Sequence, residues 1–545
     1  MLKSFKAHPL SWFLLAWTLV NLLQAGTTEL LDDEAYYWVY SRFPDWGYFD
    51  HPPMIALCIR AGYALFPWEL GVRFLMVLMS TLTIWIIHSL LLVKNNRLFF
   101  QLVLCLGVLQ IGGILAVPDI PLTFFTALFF WQLKRFLEKN TLAEGLLLGL
   151  VMALMLYSKY HGVLIILFSL LACPRLLRQP NAWVAALFGA LLFLPHLWWQ
   201  YQHGFPSVWY HLRERNAPAY KINFTLEYIL GQFLLAGPLV GWLLLYAAGR
   251  FRPRAPFEKA LLYSLVGFYG FFLLSSFKGR VEANWTVPAL VPLLILSHAW
   301  LNENRWQVWI RRLWLPTLIL VLVARMYMMT DIPFLTSRIK DEMHGNKEWA
   351  GAIQERAGGL PVVFMDKYQR PSKYWFYSGD TAFVLNSTTY RRNNYNFWPI
   401  EKQLQGRRVY FADNILHSDS AAVPIPNPRE PLYGKPLPNF YSYSGIRIEP
   451  AKLPLEISGG QLLAFDATVA GEVPGARPVL DVVVGNDVVA RIPLSLRPEG
   501  DPWKLSSSEP VTIAPGKYRC KLGMLSVIPG IATQISPAME LVAKP

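Results

Sequence analysis

The chain has 545 residues, 54% of them hydrophobic and 16% charged, which is too apolar for an ordinary soluble enzyme and too long for a simple membrane anchor. Its net charge of +14 comes from 50 Lys and Arg against 36 Asp and Glu. The basic residues recur between apolar runs, so the excess reads as membrane topology and not as a nucleic-acid footprint.

About 20 apolar residues cross a bilayer as a helix, because a helix satisfies its own backbone amides and carbonyls without water. Such runs occur near 10–30, 70–93, 98–117, 120–137, 142–158, 160–174, 183–199, 225–248, 259–276, 285–301 and 311–329. They predict a polytopic α-helical membrane protein with about 11–13 spans, and their unbroken length excludes a barrel. The first run has a short basic start and no clear small-residue cleavage site, so it is taken as a retained span. Residues 54–66, MIALCIRAGYALF with Arg60, are too few to cross and are expected as a helix at the interface or tucked back into it.

Placing the N-terminus in the cytoplasm puts Lys3, Lys94, Lys134, Arg175, Arg250, Arg305 and their basic neighbours on one face. The exterior face then receives 31–53, Pro118-Asp119, 158–161, 200–224, 277–284 and everything from Thr330 onward. The expected location is the cytoplasmic (inner) membrane, with the C-terminal part in the periplasm. Residues 1–329 form the membrane domain.

Beyond it, KEWAGAIQERAG and PVVFMD predict an exterior α/β domain over 330–435. Alternating runs such as VLDVVVGNDVVARIPL predict a terminal antiparallel, sandwich-like β domain over 436–545. The Pro-rich stretch 424–440 reads as a linker. Cys58, Cys105 and Cys173 lie in apolar segments and Cys520 stands alone outside, so neither an internal exterior disulfide nor a zinc signature is expected.

The first exterior loop carries the strongest chemistry. In LLDDEAYYWVYSRFPDWGYFDHPP, Asp32, Asp33, Glu34, Asp45 and Asp50 stand beside aromatic rings suited to sugar or lipid. An acid just beyond a span can serve as a general base, or simply cap the helix beginning at AYYW. Asp50-His51 before Pro52-Pro53 fits a divalent cation or a phosphate, or else a rigid turn. Asp119 in VPDIP brings a second carboxylate to the same face, where it also fits a helix cap.

Lys159 in SKYHG, and Lys278 and Arg280 in FKGRVEANW, are cations on the side that should be poor in them. They suit a lipid phosphate, with snorkelling as the plainer explanation. The loop from His196 to Arg215 holds His211, a candidate metal ligand with Asp50 if the fold joins them. There is no GxxxxGK[ST] and no GxGxxG between a strand and a helix, so no nucleotide cofactor is expected.

Taken in order, LDDEAYYW, GYFDHPP, AVPDIPL, YSKYHGVL and FKGRVEANWTVP resemble the bacterial branch of the GT-C membrane glycosyltransferases. These are relatives of dolichyl-phosphate-mannose protein mannosyltransferase and of the lipid A aminoarabinose transferase. The resemblance covers roughly 10–330, and YQRPSKYWFYSG and RRNNYNFW also resemble exterior segments of some bacterial members. It implies Asp33, followed by Glu34, as the catalytic acid pair, and Asp119 as the second acid. It further implies Lys159, Lys278 and Arg280 as donor-phosphate contacts. His51 occupies a place where lipid A enzymes carry Lys, so it is assigned to the phosphate by position alone.

The function so implied is an inverting transfer of a sugar from a polyprenyl-phosphate carrier to a lipid, glycan or protein acceptor, aided or not by a divalent metal ion. A secondary transporter or flippase for a sugar-linked lipid is the main alternative, with Arg60 and Arg73 as its supporting residues. A non-catalytic scaffold of a cell-envelope complex is the third.

Overall fold

The structure, a computed structural model, describes residues 9–211, 220–336, 338, 341–426, 431–443, 445–471, 477–484, 487–497 and 503–544. The chain divides into two compact units, Met1–His344 and Gly345–Pro545.

The first unit is helical. Its helices are α1 (Pro9–Thr27), α2 (Asp32–Arg42), α3 (Met54–Leu65), α4 (Glu69–Leu90), α5 (Asn96–Cys105), α6 (Gly107–Gln110), α7 (Asp119–Lys139), α8 (Leu142–Ser158) and α9 (Gly162–Ala172). They continue with α10 (Pro180–Gln202), α11 (Pro206–Trp209), α12 (Ile222–Leu235), α13 (Gly241–Arg250), α14 (Pro256–Ser275), α15 (Leu290–Asn302), α16 (Gln307–Met329) and α17 (Pro333–Thr336).

Among the described residues, six helical stretches are long and apolar enough to cross a bilayer alone: α1, α4, α10, α14, α16 and Ala283–Asn302, which ends in α15. A seventh arises if α5 and Gly107–Ile114, bent by 74°, form one broken span. The remaining expected spans fall on α7, on the shorter apolar helices α8 and α9, and on the pair α12–α13. The protein is a multi-pass membrane protein.

The 54–66 segment forms α3, too short to count among the spans and packed against α4. A Cβ on Gly62 would come within 2.3 Å of the Gly71 carbonyl, so two glycines let the backbones touch. Aromatic packing fixes α2 in turn. Tyr36, Tyr40 and Tyr48 are buried, the Tyr40 and Tyr48 rings stack at 4.1 Å, and Arg60 Nη1 on α3 donates to the Ser41 carbonyl at 3.0 Å.

The second unit begins with α18 (Asn346–Ala357) and continues through β1 (Val362–Met365), α19 (Gln369–Ser378), β2 (Ala382–Leu385), β3 (Val409–Asp413), β4 (Val423–Ile425) and β5 (Leu432–Leu437). The five strands form a sheet in the order β2-β1-β3-β5-β4, parallel across β2, β1 and β3 and antiparallel beyond. The expected linker is therefore partly strand, with Pro424 on the edge strand, where a missing N–H costs no ladder bond.

Nine further strands follow: β6 (Arg447–Pro450), β7 (Leu455–Ser458), β8 (Ala464–Ala470), β9 (Pro478–Val484), β10 (Asp487–Arg497), β11 (Trp503–Ser507), β12 (Gly516–Leu525), β13 (Ala532–Gln534) and β14 (Met539–Lys544). Their order is β6-β8-β11-β10-β9-β12-β14-β7, with β13 on β12, and the pairs are antiparallel except β14–β7. The long β10 pairs with β9 along its first part and with β11 along its last. Ile448, Leu480, Ile492, Leu505, Leu522 and Leu541 from both ends of the series share one core, which gives the sandwich-like arrangement.

The domain boundaries differ from those expected at 329/330 and 435/436. Met343 packs with Ala25, Val77, Ile114 and Met328, so residues up to 344 stay with the helices. The α/β and β parts join in one unit: the Thr388 N–H donates to the Ala532 carbonyl at 3.0 Å, and Lys521 Nζ donates to that of Tyr390 at 2.6 Å.

The motifs YQRPSKYWFYSG and RRNNYNFW meet here, with Ser372 and Tyr395 hydroxyls 3.0 Å apart. Arg370 and Asp413 form a buried ion pair nearby. Asp366, after β1, adopts a left-handed φ of 60° and accepts from the Ser387 N–H at 2.6 Å and the Ser387 hydroxyl at 2.9 Å.

Burial raises the Asp366 carboxyl to about 6 despite those donors. A carboxyl raised in the folded state contributes stability below its unfolded value near 3.8 and loses it as pH rises through about 6. Thermal unfolding followed from pH 3.5 to 7.5 should show this loss, on the order of 2–3 kcal/mol at about 1.36 kcal/mol per unit. Asp366→Asn should flatten the dependence, and an unchanged profile would contradict the assignment.

Candidate active site

The first turn of α2 places three carboxylates at a helix N-terminus, where the macrodipole favours negative charge. They do not share one environment. Glu34 is fully buried against Arg73 on α4, with Oε1 2.7 Å from Nε and Oε2 2.5 Å from Nη2. The same carboxylate accepts from the N–H of Leu31 at 2.9 Å and of Ala116 at 2.7 Å. Arg73 also donates to the carbonyls of Ala25, Thr28 and Glu29, the open C-terminal end of α1.

One buried ion pair thus ties together the end of α1, the start of α2, α4 and the segment leading to Asp119. Expected as half of a catalytic pair, Glu34 has both oxygens engaged and acts as a positioning residue. Asp33, next in sequence, is exposed.

Asp119 opens α7. Lys159, at the end of α8, donates to its Oδ1 at 2.8 Å, and Asn284 Nδ2 donates to its Oδ2 at 3.1 Å. Both partners of the ion pair are buried. Asn284 lies inside the FKGRVEANWTVP motif, where its carboxamide went unnoticed beside the cations.

Those cations stand elsewhere. Lys278 is exposed, and Arg280, 63% exposed, faces Glu227 at 3.4 Å and Glu282 at 3.8 Å. The structure therefore brings Lys159 to the second acid and leaves Lys278 and Arg280 outside that buried cluster.

His51 links the two acid-bearing segments. Asp33 and Tyr37 are four residues apart and so share a face of α2, and the Tyr37 ring meets the His51 ring edge-on at 5.5 Å. Desolvation pushes the His51 imidazole down to about 4; Lys159 and His211 push the same way, against Asp50 and Asp119. His51 is therefore a neutral hydrogen-bonding group at neutral pH and not a cation for phosphate. All four charged or titratable neighbours acting on it, Asp50, Lys159, His211 and Asp119, come from separate sequence motifs that the fold has gathered around it.

The expected metal pair, Asp50 and His211, does come together: Asp50 Oδ1 accepts from the Tyr40 hydroxyl at 2.5 Å, and His211 Nε2 lies 3.5 Å from the Asp50 backbone carbonyl. Among the described residues no group of three or more His, Cys, Asp or Glu could hold an ion.

The 195–211 segment instead braces the loop 43–53. Trp199 Nε1 donates to Asp45 Oδ2 at 2.8 Å, a His196 ring nitrogen lies 2.8 Å from the Trp46 carbonyl, and the Ser207 hydroxyl donates to the Phe49 carbonyl at 2.9 Å. Arg213 and Arg215 lie outside the described residues.

The family model described as dolichyl-phosphate-mannose-protein mannosyltransferase matches residues 50–199. Over 312 residues the chain is 27% identical to the lipid A galacturonosyltransferase RgtD of Rhizobium johnstonii, covering 53% of this chain and 64% of that protein. The alignment thus spans less than two thirds of its relative.

Two solved structures have the same fold. ArnT from Cupriavidus metallidurans in the apo state superposes with a TM-score of 0.57 at 13% identity, covering 78% of this chain and 97% of that one. ArnT bound to undecaprenyl phosphate superposes with a TM-score of 0.55 at 14% identity, covering 78% and 98%. The chain has the fold of these two structures. The buried Asp119–Lys159–Asn284 cluster and the Glu34–Arg73 pair both fall within the helical unit, as does the family match.

Proposed function

We propose that this protein, as a GT-C glycosyltransferase, transfers a sugar, with inversion, from a polyprenyl-phosphate carrier to a lipid acceptor at the exterior face of the inner membrane. The observation that carries this reading is the joining of Asp119, Lys159 and Asn284 from separate turns, with Asp119 and Lys159 both acting on the buried His51; Asp33 enters it from the family resemblance. The named relatives support it: one is a lipid A galacturonosyltransferase and another was solved with undecaprenyl phosphate. In this reading the N-terminus is cytoplasmic and the second unit periplasmic, as the basic loops indicate.

Asp33 takes the proton of the acceptor hydroxyl as its oxygen attacks the anomeric carbon. The bond from that carbon to the carrier phosphate breaks, and the phosphate leaves as an anion that needs no proton. Lys159, held by Asp119, and the Asn284 amide face the charge that grows on the leaving oxygen. His51 offers a neutral hydrogen bond at the same place, and Glu34 holds the turn that carries Asp33.

The test is purified protein in vesicles with polyprenyl-phosphate sugars and lipid A. Release of free carrier phosphate matched by glycosylated lipid A supports the proposal. Glycosylation of a glycan or protein in place of the lipid revises the acceptor, whereas carrier movement without bond cleavage overturns catalysis. Lys159→Met should lower kcat/KM for the donor about 10- to 100-fold, the value of one buried charge-assisted contact. Unchanged donor kinetics would remove Lys159 from the site.

A further inference from the structure

Besides Arg73 and Lys159, a third cation lies buried in the helical unit, and nothing in the proposed reaction uses it. Arg325, on α16 four residues before its end at Met329, is 5% exposed. That places it about 6 Å below the exterior end of the helix at 1.5 Å per residue. Its guanidinium donates to three amide oxygens: Nε to Gln24 Oε1 at 2.5 Å, Nη1 to Gln110 Oε1 at 2.8 Å and Nη2 to Asn21 Oδ1 at 2.8 Å. None of the three is charged. A guanidinium stays protonated in proteins, and burying it without an anion is expensive, so a neutral cradle leaves its charge uncompensated.

The cradle also has more donors than acceptors. Three of five guanidinium N–H groups are used. The Nδ2 of Asn21, 1% exposed, and the indole Nε1 of Trp17, 6% exposed, are buried with no hydrogen-bond partner. Trp17, Asn21 and Gln24 follow at four- and three-residue steps, which sets them along one face of α1. Gln110 stands on α6, just past the 74° break after α5. The outward faces of the two long helices, Leu19 and Leu23 on α1 and Leu322 and Met326 on α16, are exposed apolar side chains.

From this surplus of donors around an unneutralised buried cation, we infer that Arg325, Asn21 and Trp17 form a site for a lipid-borne phosphate, distinct from the Asp119–Lys159 cluster. The phosphate oxygens accept from the two remaining guanidinium N–H groups, the Asn21 amide and the Trp17 indole. Its charge neutralises Arg325, while the acyl or prenyl chains lie against α1 and α16. The phosphate comes from a phospholipid or from a polyprenyl phosphate, which offer the same group to the same donors.

The test is native mass spectrometry of the full chain in detergent, titrated separately with phosphatidylglycerol, undecaprenyl phosphate and diacylglycerol. The intact protein and Arg325→Lys should retain a phosphate-bearing lipid and not diacylglycerol. Arg325→Gln should lose the adduct by about tenfold in apparent affinity, the scale of a charge-assisted hydrogen bond. Retention of phosphatidylglycerol or of undecaprenyl phosphate identifies the source. Equal retention by the intact protein and Arg325→Gln overturns the site, as does diacylglycerol binding as well as the phosphate lipids. If Arg325→Gln does not fold, the pair Trp17→Phe and Asn21→Leu keeps the cation and removes two donors; an unchanged adduct in that pair overturns the proposal equally.

Discussion

Arg73→Met is expected to cost about 3–5 kcal/mol of stability in the helical unit, because it strands the buried Glu34 carboxylate without its counter-charge. Glu34→Gln should cost a similar amount from the other side, even though the shape of the side chain is kept. Removing both charges together should recover much of the loss, since a buried ion pair gains little over neutral packing once neither partner is left alone. Thermal unfolding in detergent of the two single variants and the double variant measures all three. Single variants as stable as the parent, or a double variant whose loss is the simple sum of the two, would show that the pair does not weld the four segments. Activity should follow stability here, because the same carboxylate seats the turn bearing Asp33.

Asp33→Asn is expected to behave in the opposite way. Asp33 is exposed and stands apart from the Glu34–Arg73 pair, so unfolding should be little changed while transfer falls by about 10²–10⁴, the usual contribution of a general base. Asp32→Asn is the internal control, with a much smaller effect expected. Full transferase activity in a well-folded Asp33→Asn protein would move the base elsewhere, and a loss confined to Asp32→Asn would move it by one residue.

These two neighbours show what a linear sequence discloses and what it withholds. The helical spans and the strand-rich end are legible in apolar runs and alternating patterns. The different fates of Asp33 and Glu34 are not. Adjacent residues on a helix point about 100° apart, so one meets solvent while the other meets an arginine 39 positions later. Arg60 and Arg73, read as residues suited to transport, instead hold a helix end and a buried carboxylate. Asn284 sat inside a recognised motif but carries no charge to draw notice.

The boundary at 344 was hidden for a similar reason. Composition turns soluble near 330, but Met343 is claimed by apolar neighbours from α1, α4 and α16. Only the packing reveals that the chain returns to the helices before leaving them.

The hydrogen bond from the Ala116 amide to Glu34 has one last consequence. Because a single carboxylate is shared by two loops, neither loop can change length alone. An extra residue between 111 and 118 would slide a different amide into register and withdraw Asp119 from Lys159, so insertions should be tolerated in turns remote from this carboxylate, such as Asn140-Thr141 between α7 and α8, long before they are tolerated there.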